Sequence, residues 1–216
     1  MLEKMSDFFE ARIDGYDEHM LGAIEGAREF YPFTASQMPT FDACNILDLG
    51  CGTGLELRDF FHRNPSANVT AIDLSEKMLA RLRQNFEDKN LNLICGSYFD
   101  VSFPENSFDA AISVESLHHF KKEEKVGLYT KLRSYLKKDG YFILTDYFAH
   151  SDEEELINMQ NFEDLKTEQG IVGCELYHYD IPLTVKHEMD ALYEAGFSSV
   201  EVLKSWGATS TIKAKI

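Results

Sequence analysis

Three glycines at alternate positions, Gly50, Gly52 and Gly54, follow a short apolar run and precede a helical pattern of hydrophobic residues. Glycine allows the backbone to take positive φ and lets a ligand approach the main chain closely. The helix that starts beyond the glycines offers unpaired backbone N–H groups and the positive end of its dipole. The segment therefore predicts a buried strand, a tight turn and a helix N-terminus that bind a carboxylate, a phosphate or a ribose.

The spacing of these glycines separates two kinds of nucleotide site. A dinucleotide-binding turn has the pattern G-x-G-x-x-G, but Leu55 stands at the position of its last glycine. An acid lies two residues before the first glycine, and the string Asp48-Leu49-Gly50-Cys51-Gly52-Thr53-Gly54 resembles motif I of the class I S-adenosylmethionine-dependent methyltransferases. The resemblance implies S-adenosylmethionine as the cofactor. The contacts that it implies from this motif are Asp48, Gly50, Cys51, Gly52 and Gly54.

A second carboxylate, Asp73, ends the apolar run 68–73 and is expected at the C-terminal end of the second strand. There it can accept hydrogen bonds from both ribose hydroxyls of the cofactor, or it can only cap the helix that follows. Many relatives carry an acid after the third strand to bind the adenine amino group, and this chain has Ser97 at that place. The residues expected near adenine are Leu74, Met78, Ser97 and Tyr98.

Two histidines, His118 and His119, follow the apolar strand predicted over 110–114. Ligands of open α/β sheets lie beyond the carboxyl ends of the strands, so this loop should border the transferred methyl group. Either histidine can orient a substrate or act as a base near neutral pH, or a histidine bonded to the backbone only shapes the loop. The other candidates at strand ends are Asp146 for substrate contact, and Val114 and Glu115 for cofactor contact.

The N-terminal residues 5–24 carry apolar side chains at three- and four-residue steps, which predicts an amphipathic helix or helix pair broken near Gly15 and Gly22. Part of this segment resembles the one that precedes motif I in many small-molecule methyltransferases and folds over the cofactor. The resemblance implies that Tyr16 lies near the methionine moiety and makes Arg12 a candidate for its carboxylate. The alternative is an ordinary packing helix with a surface arginine.

The connection 148–182 is too long for a minimal link between two elements of the sheet. It predicts a helix around Leu156 to Leu165 and then an irregular stretch with aromatic residues at 177–179. Such insertions form acceptor pockets and lids in the family, so we expect this one to meet the N-terminal segment over the cofactor methyl. The alternative is a surface excursion packed by its own aromatic residues.

The resemblance implies an α/β fold with a doubly wound, seven-stranded, mostly parallel sheet and one antiparallel strand near the C-terminus. A helix from Val126 is expected to end at Lys137-Lys138-Asp139-Gly140, with Gly140 as its C-cap. We expect a single domain over 1–216. Its expected parts are a helical cap at 1–40, the cofactor core at 45–147, a lid at 148–182 and the last helix and strands at 183–216.

The composition favours one soluble enzyme domain that acts on a small organic acceptor. The chain has 216 residues and a net charge of −16, and its basic clusters are only pairs, which argues against nucleic-acid substrates. No apolar run approaches the ~18 residues of a membrane span, and no signal peptide is visible. The cysteines are expected to be reduced thiols, which indicates a cytoplasmic protein; they are Cys44, Cys51, Cys95 and Cys174.

The implied reaction is an in-line displacement at the sulfonium methyl, for which positioning and a dry site suffice. It requires no metal, and no three-ligand metal cluster is apparent in the sequence. A protein that holds S-adenosylmethionine without turnover remains an alternative. A nicotinamide-dependent oxidoreductase is a further one, against which Leu55 and the glycine spacing argue. The acceptor atom and the oligomeric state are not predicted.

Overall fold

The sheet predicted from the sequence is confirmed by the computed structural model, which describes residues 1–173 and 175–216. Its seven strands lie in the order β3-β2-β1-β4-β5-β7-β6, and β7 runs antiparallel to the other six. The chain order reverses between β1 and β4, which creates the crevice where ligands of such sheets bind. The strands are β1 Asn45–Leu49, β2 Asn68–Asp73, β3 Asn90–Cys95, β4 Phe108–Val114, β5 Leu136–Tyr147, β6 Ser199–Trp206 and β7 Thr209–Lys215.

Helices cover both faces of the sheet because successive side chains of each central strand point in opposite directions. In β1, Leu47 and Leu49 belong to one buried cluster, and Ile46 belongs to another. A three-residue 3-10 helix, Leu117–His119, follows β4 directly. The α-helices are α1 Met5–Ala11, α2 Tyr16–Ala23, α3 Ala27–Ser36, α4 Leu57–Arg63, α5 Glu76–Asn85, α6 Lys122–Tyr135, α7 Asp152–Glu168 and α8 Val185–Glu194.

Two predicted helix breaks differ in the structure. Gly22 lies inside α2, and the second N-terminal break falls at Gly26, whose φ of 77° is left-handed. Gly140 does not cap a helix, because α6 already ends at Tyr135. Leu136 pairs with Phe108 at the start of β5, so strand pairing overrides the helical pattern there.

The thiols of Cys44 and Cys51 are free and buried, and that of Cys95 is free and exposed. Cys174, the fourth predicted thiol, lies outside the described residues. Within 1–173 and 175–216, no helix has the length and apolar character needed to cross a membrane.

Candidate active site

The glycine loop follows β1 at the switch point of the sheet, with left-handed φ at Gly50, Gly52 and Gly54. A Cβ atom at Gly50 would lie 2.0 Å from the Ser116 hydroxyl oxygen, so the loop after β4 packs directly on the loop after β1. A Cβ atom at Gly54 would lie 2.9 Å from the ring of Phe86, which places this glycine against a helix instead of the crevice. Gly50 and Gly52 are therefore the glycines that face the ligand space.

Asp73 joins the glycine loop to the start of α5. One carboxylate oxygen accepts from the Gly52 amide at 2.8 Å, and the other accepts from the Ser75 amide at 2.8 Å. Burial raises the pKa of Asp73 to about 6, although these backbone donors oppose the shift. Ser75 is itself the N-cap of α5 and accepts from the Met78 amide. Asp73 thus links the glycine loop to the start of α5, and it also borders the ligand space beside the loop.

A small cavity of about 40 Å³ lies between the glycine loop and α1. Tyr16 lies over the loop, because a Cβ atom at Gly52 would be 3.6 Å from the Tyr16 hydroxyl oxygen. Of the predicted cofactor contacts, those that line it are Tyr16, Gly50, Gly52, Asp73, Leu74, Met78, Tyr98 and Glu115. The sequence did not reveal three further lining residues, Met5, Phe9 and Ser116.

Five predicted cofactor contacts do not line this cavity. Cys51 is buried beneath the loop, and Gly54 packs against Phe86. The Ser97 hydroxyl accepts from the Phe99 amide, and Val114 packs in the cluster of the N-terminal helices. The fifth, Asp48, lies under the loop with an exposed fraction of 1%.

Asp48 faces a second buried acid, Glu56, which sequence reasoning missed. Burial and the neighbouring Glu56 carboxylate raise the pKa of Asp48 well above its usual value, and burial raises the pKa of Glu56 to about 7. One oxygen of each carboxyl is buried without a hydrogen-bond partner among the described residues. Because two adjacent carboxylates cannot both ionise at low cost, the pair retains a proton near neutral pH.

A larger cavity of about 880 Å³ adjoins the small one. The two cavities share four lining residues, Phe9, Tyr16, Glu115 and His119. Glu115 has a φ of 50°, which is uncommon outside glycine, and it accepts from the Thr209 hydroxyl at 3.2 Å. Burial and the neighbouring Asp146 raise the pKa of Glu115 to about 7. These four residues form the wall across which the two cavities meet.

Both predicted histidines line the larger cavity, whereas Asp146 lies behind them. Asp146 is 1% exposed, and its carboxylate lies 2.5 Å from Nδ1 of His118. It therefore contacts the histidine and does not line the cavity. This corrects the prediction that Asp146 contacts the substrate directly. Its carboxylate also accepts from the Leu117 and Tyr147 amides, each at 2.9 Å. The charge and hydrogen bond of Asp146 hold the pKa of His118 well above its usual value, against the effect of burial.

A further acid, Asp180, lies beside both histidines and was not among the predicted site residues. Its carboxylate oxygen lies 3.5 Å from Nε2 of His118 and 3.1 Å from Nδ1 of His119. Burial would raise the pKa of Asp180, but the hydrogen bonds from both histidines hold it well below its usual range. Burial and the neighbouring His118 lower the pKa of His119. The only signal in the sequence is an acid at the end of the aromatic run 177–179.

The N-terminal segment and the late connection meet beside the larger cavity. The Met5 amide donates to the Leu176 carbonyl at 2.9 Å, and the His178 amide donates to the Glu3 carbonyl at 3.0 Å. The rings of Phe8 and His178 stack with centroids 3.5 Å apart. Of the aromatic residues at 177–179, His178 is the one that lines the cavity.

Arg12 does not reach the small cavity. Its guanidinium donates to the Glu3 carboxylate at 3.1 Å and lies over the ring of Phe8. It lines the adjoining larger cavity, and its contact with the cofactor carboxylate stays a prediction.

Comparisons with known proteins identify the class of this fold and site. A family model described as a methyltransferase domain matches residues 46–140. An uncharacterized methyltransferase from Staphylococcus carnosus is 30% identical over 177 residues, which are 75% of this chain and 81% of the relative. The chain therefore belongs to the class I S-adenosylmethionine-dependent methyltransferases, and the nicotinamide alternative is set aside.

Other relatives differ in how much of their length the chain spans. A carboxy-S-adenosyl-L-methionine synthase from Campylobacter fetus is 28% identical over 78% of this chain and 76% of its own length. A sterol 24-C-methyltransferase from Gibberella zeae is 29% identical over 70% of this chain but only 39% of its own length. A solved complex of DhpI with SAH has a TM-score of 0.72 and 17% identity, with 97% of this chain and 93% of that chain covered, and shows the shared fold.

Proposed function

We propose that this chain transfers the methyl group of S-adenosylmethionine to a small organic acceptor bound in the larger cavity. The observation that carries the proposal is the wall shared by the two cavities, formed by Phe9, Tyr16, Glu115 and His119. A cofactor whose ribose is held by Asp73 would direct its sulfonium toward this wall. An acceptor on the other side would then lie in line with the methyl group.

The residues of the chain fit a nucleoside with a ribose and a sulfonium. The Asp73 carboxylate accepts one hydrogen bond from the glycine loop and one from the Ser75 amide, and ribose hydroxyls are also hydrogen-bond donors. S-adenosylmethionine supplies an activated methyl group when it is bound. The protein then has to orient both partners and exclude water, for which α1 and the aromatic residues of the shared wall are suited.

A small acceptor is favoured over a polymer. Residues 3–8 and 176–178 contact each other beside the cavity, and the cavity volume of about 880 Å³ suits a single small molecule. The net charge of −16 opposes binding to nucleic acids. The buried free thiols of Cys44 and Cys51 support a reducing, cytoplasmic location.

Ligand binding and product analysis together test this function. S-adenosylmethionine and S-adenosylhomocysteine should each raise the free energy of unfolding, by about 2.7 kcal/mol at 100 times the dissociation constant, while NAD should not. With small alcohols, thiols and amines as acceptors, mass spectrometry should detect S-adenosylhomocysteine. Stabilisation without any such product would favour a protein that only binds the cofactor. A heavier, carboxylated cofactor would indicate the product named for the Campylobacter relative.

A further inference from the structure

We propose that His118, His119 and Asp180 form a binding site for a divalent transition-metal cation in the wall of the larger cavity. This differs from the sequence-based expectation of no metal cluster. Asp180 is far from the histidines along the chain, and only the fold brings it to them. One donor atom from each of the three residues lies within 4.8 Å of the other two.

The donor separations are close to those that a small cation imposes. Asp180 Oδ1 lies 3.5 Å from Nε2 of His118 and 3.1 Å from Nδ1 of His119. Two ligands at about 2.0–2.1 Å from a tetrahedral zinc ion are about 3.3 Å apart. Nδ1 of His119 also lies 3.1 Å from the Tyr179 carbonyl, so metal binding would require this nitrogen to lose its proton and this contact.

The hydrogen bonding of His118 is the kind expected of a histidine that binds a metal. A ligating histidine usually donates its other ring N–H to a carboxylate, which fixes its orientation. Here the buried Asp146 binds Nδ1 of His118 at 2.5 Å and leaves Nε2 directed toward Asp180. The Ile181 amide donates to the His118 carbonyl at 2.9 Å, so the two segments that carry the ligands are tied beside the site.

The proposed metal site is accessible from the larger cavity, and positively charged side chains are scarce around it. The side chains of His118 and His119 are 9% and 3% exposed, whereas that of Asp180 is 51% exposed toward the cavity. Three protein ligands and an accessible fourth position are typical of catalytic rather than structural zinc sites. Of the described residues that line the cavity, Arg12 is the only arginine or lysine, and it is paired with Glu3.

The donor set limits the choice of metal. Two imidazoles and one carboxylate suit Zn²⁺, Fe²⁺, Co²⁺ or Ni²⁺ better than Mg²⁺ or Ca²⁺, which prefer oxygen ligands. If the proposed function holds, the open position would bind the hydroxyl or thiol of the acceptor and lower its pKa. The acceptor proton would leave to solvent, and the resulting anion would form a bond to the methyl carbon as the carbon–sulfur bond of the sulfonium breaks. The acceptor class inferred on this basis is an alcohol, a phenol or a thiol.

Cobalt titration of the untagged full chain after chelator treatment tests the site directly. We expect one equivalent of Co²⁺ to bind, with visible absorption typical of low coordination number, and Zn²⁺ to displace it. Asp180→Asn and His119→Gln should each weaken binding by at least about tenfold. His187→Gln is the matched control, because His187 also pairs with a carboxylate, Glu155 at 2.9 Å, on another part of the chain.

The outcomes separate the metal site from the proposed methyl transfer. Failure of the wild-type chain to bind one equivalent of Co²⁺, or equal binding by Asp180→Asn and the wild type, would overturn the site. Because Asp180 is half exposed, its asparagine variant is expected to fold, and circular dichroism checks this. S-adenosylhomocysteine binding is measured on the same samples. Methyl transfer by metal-free protein would rule out activation of the acceptor by the metal and leave the proposed function intact. Metal binding without turnover would leave the site intact and contradict the proposed function.

Discussion

Nδ1 of His118 lies 2.5 Å from the carboxylate of Asp146, beneath the wall of the larger cavity. Asp146 lies on β5 and its carboxylate accepts from the Leu117 and Tyr147 amides, so it fixes the histidine ring and leaves Nε2 facing the cavity. Asp146, which was predicted to contact the substrate, contacts His118 instead. This arrangement separates residues that would bind ligands from residues that only orient them.

The first prediction concerns this orienting contact. Asp146→Asn should weaken Co²⁺ binding by roughly 10–100-fold, since the histidine loses the carboxylate that fixes its ring. S-adenosylhomocysteine affinity, measured by calorimetry, should not change. Asp109→Asn is the control, because Asp109 is a strand residue whose carboxylate pairs with Lys137 away from the site. Unchanged metal affinity in Asp146→Asn would show that the contact has no orienting role.

The second prediction concerns cofactor binding by Asp73. Asp73→Ala should weaken S-adenosylhomocysteine binding roughly 100-fold or more, because two charge-assisted hydrogen bonds to the ribose are lost. The melting temperature should also fall, since the Gly52 and Ser75 amides lose their acceptor. Asp73→Asn keeps one acceptor oxygen and should cost less stability. Asp100→Ala, at an exposed acid after β3, serves as the control. Equal affinity in Asp73→Ala and the wild type would leave Asp73 a purely structural role.

The third prediction concerns the buried pair of Asp48 and Glu56. Burial raises the pKa of Glu56 to about 7, so the native state holds its proton more tightly than the unfolded chain does. The free energy of unfolding should therefore fall as the pH rises from about 4.5 to about 7. Glu56→Gln should flatten this fall and add about 1–3 kcal/mol at pH 8.

Urea denaturation between pH 5 and pH 8 measures this effect. Other buried acids titrate in the same range, so the informative quantity is the difference between the variant and the wild type. Asp59→Asn, at an exposed acid on α4, should follow the wild-type curve. Parallel pH profiles for Glu56→Gln and the wild type would mean that Glu56 is ionised in the native state throughout.

The fourth prediction concerns closure over the cofactor. The small cavity measures only about 40 Å³ and is lined by Tyr16 and by residues of α1. We therefore expect these elements to move to admit S-adenosylhomocysteine and then to pack against it. Hydrogen exchange with the ligand should show added protection in α1 and α2, in residues 175–184 and in the glycine loop. The outer strand β6 should serve as an unchanged reference. Protection limited to the glycine loop would mean that no lid closes and would reopen the question of larger substrates.

The sequence predicted the cofactor half of the site better than the acceptor half. The glycine loop and Asp73 are local to strand ends, and local patterns indicate strand ends well. Glu56 was missed because its pairing with Asp48 depends on how α4 packs beneath the loop. Asp180 was missed because it meets the histidines only through the irregular connection, whose path no periodic pattern specifies.

The structure of the complex with S-adenosylhomocysteine tests the central claim most directly. We expect the ribose at Asp73 and the thioether sulfur at the wall formed by Tyr16, Glu115 and His119, with its open side toward the larger cavity. Methyl transfer to an acceptor in that cavity requires this direction. A sulfur atom directed away from the larger cavity, or a nucleoside bound outside the glycine loop, would contradict the proposed function.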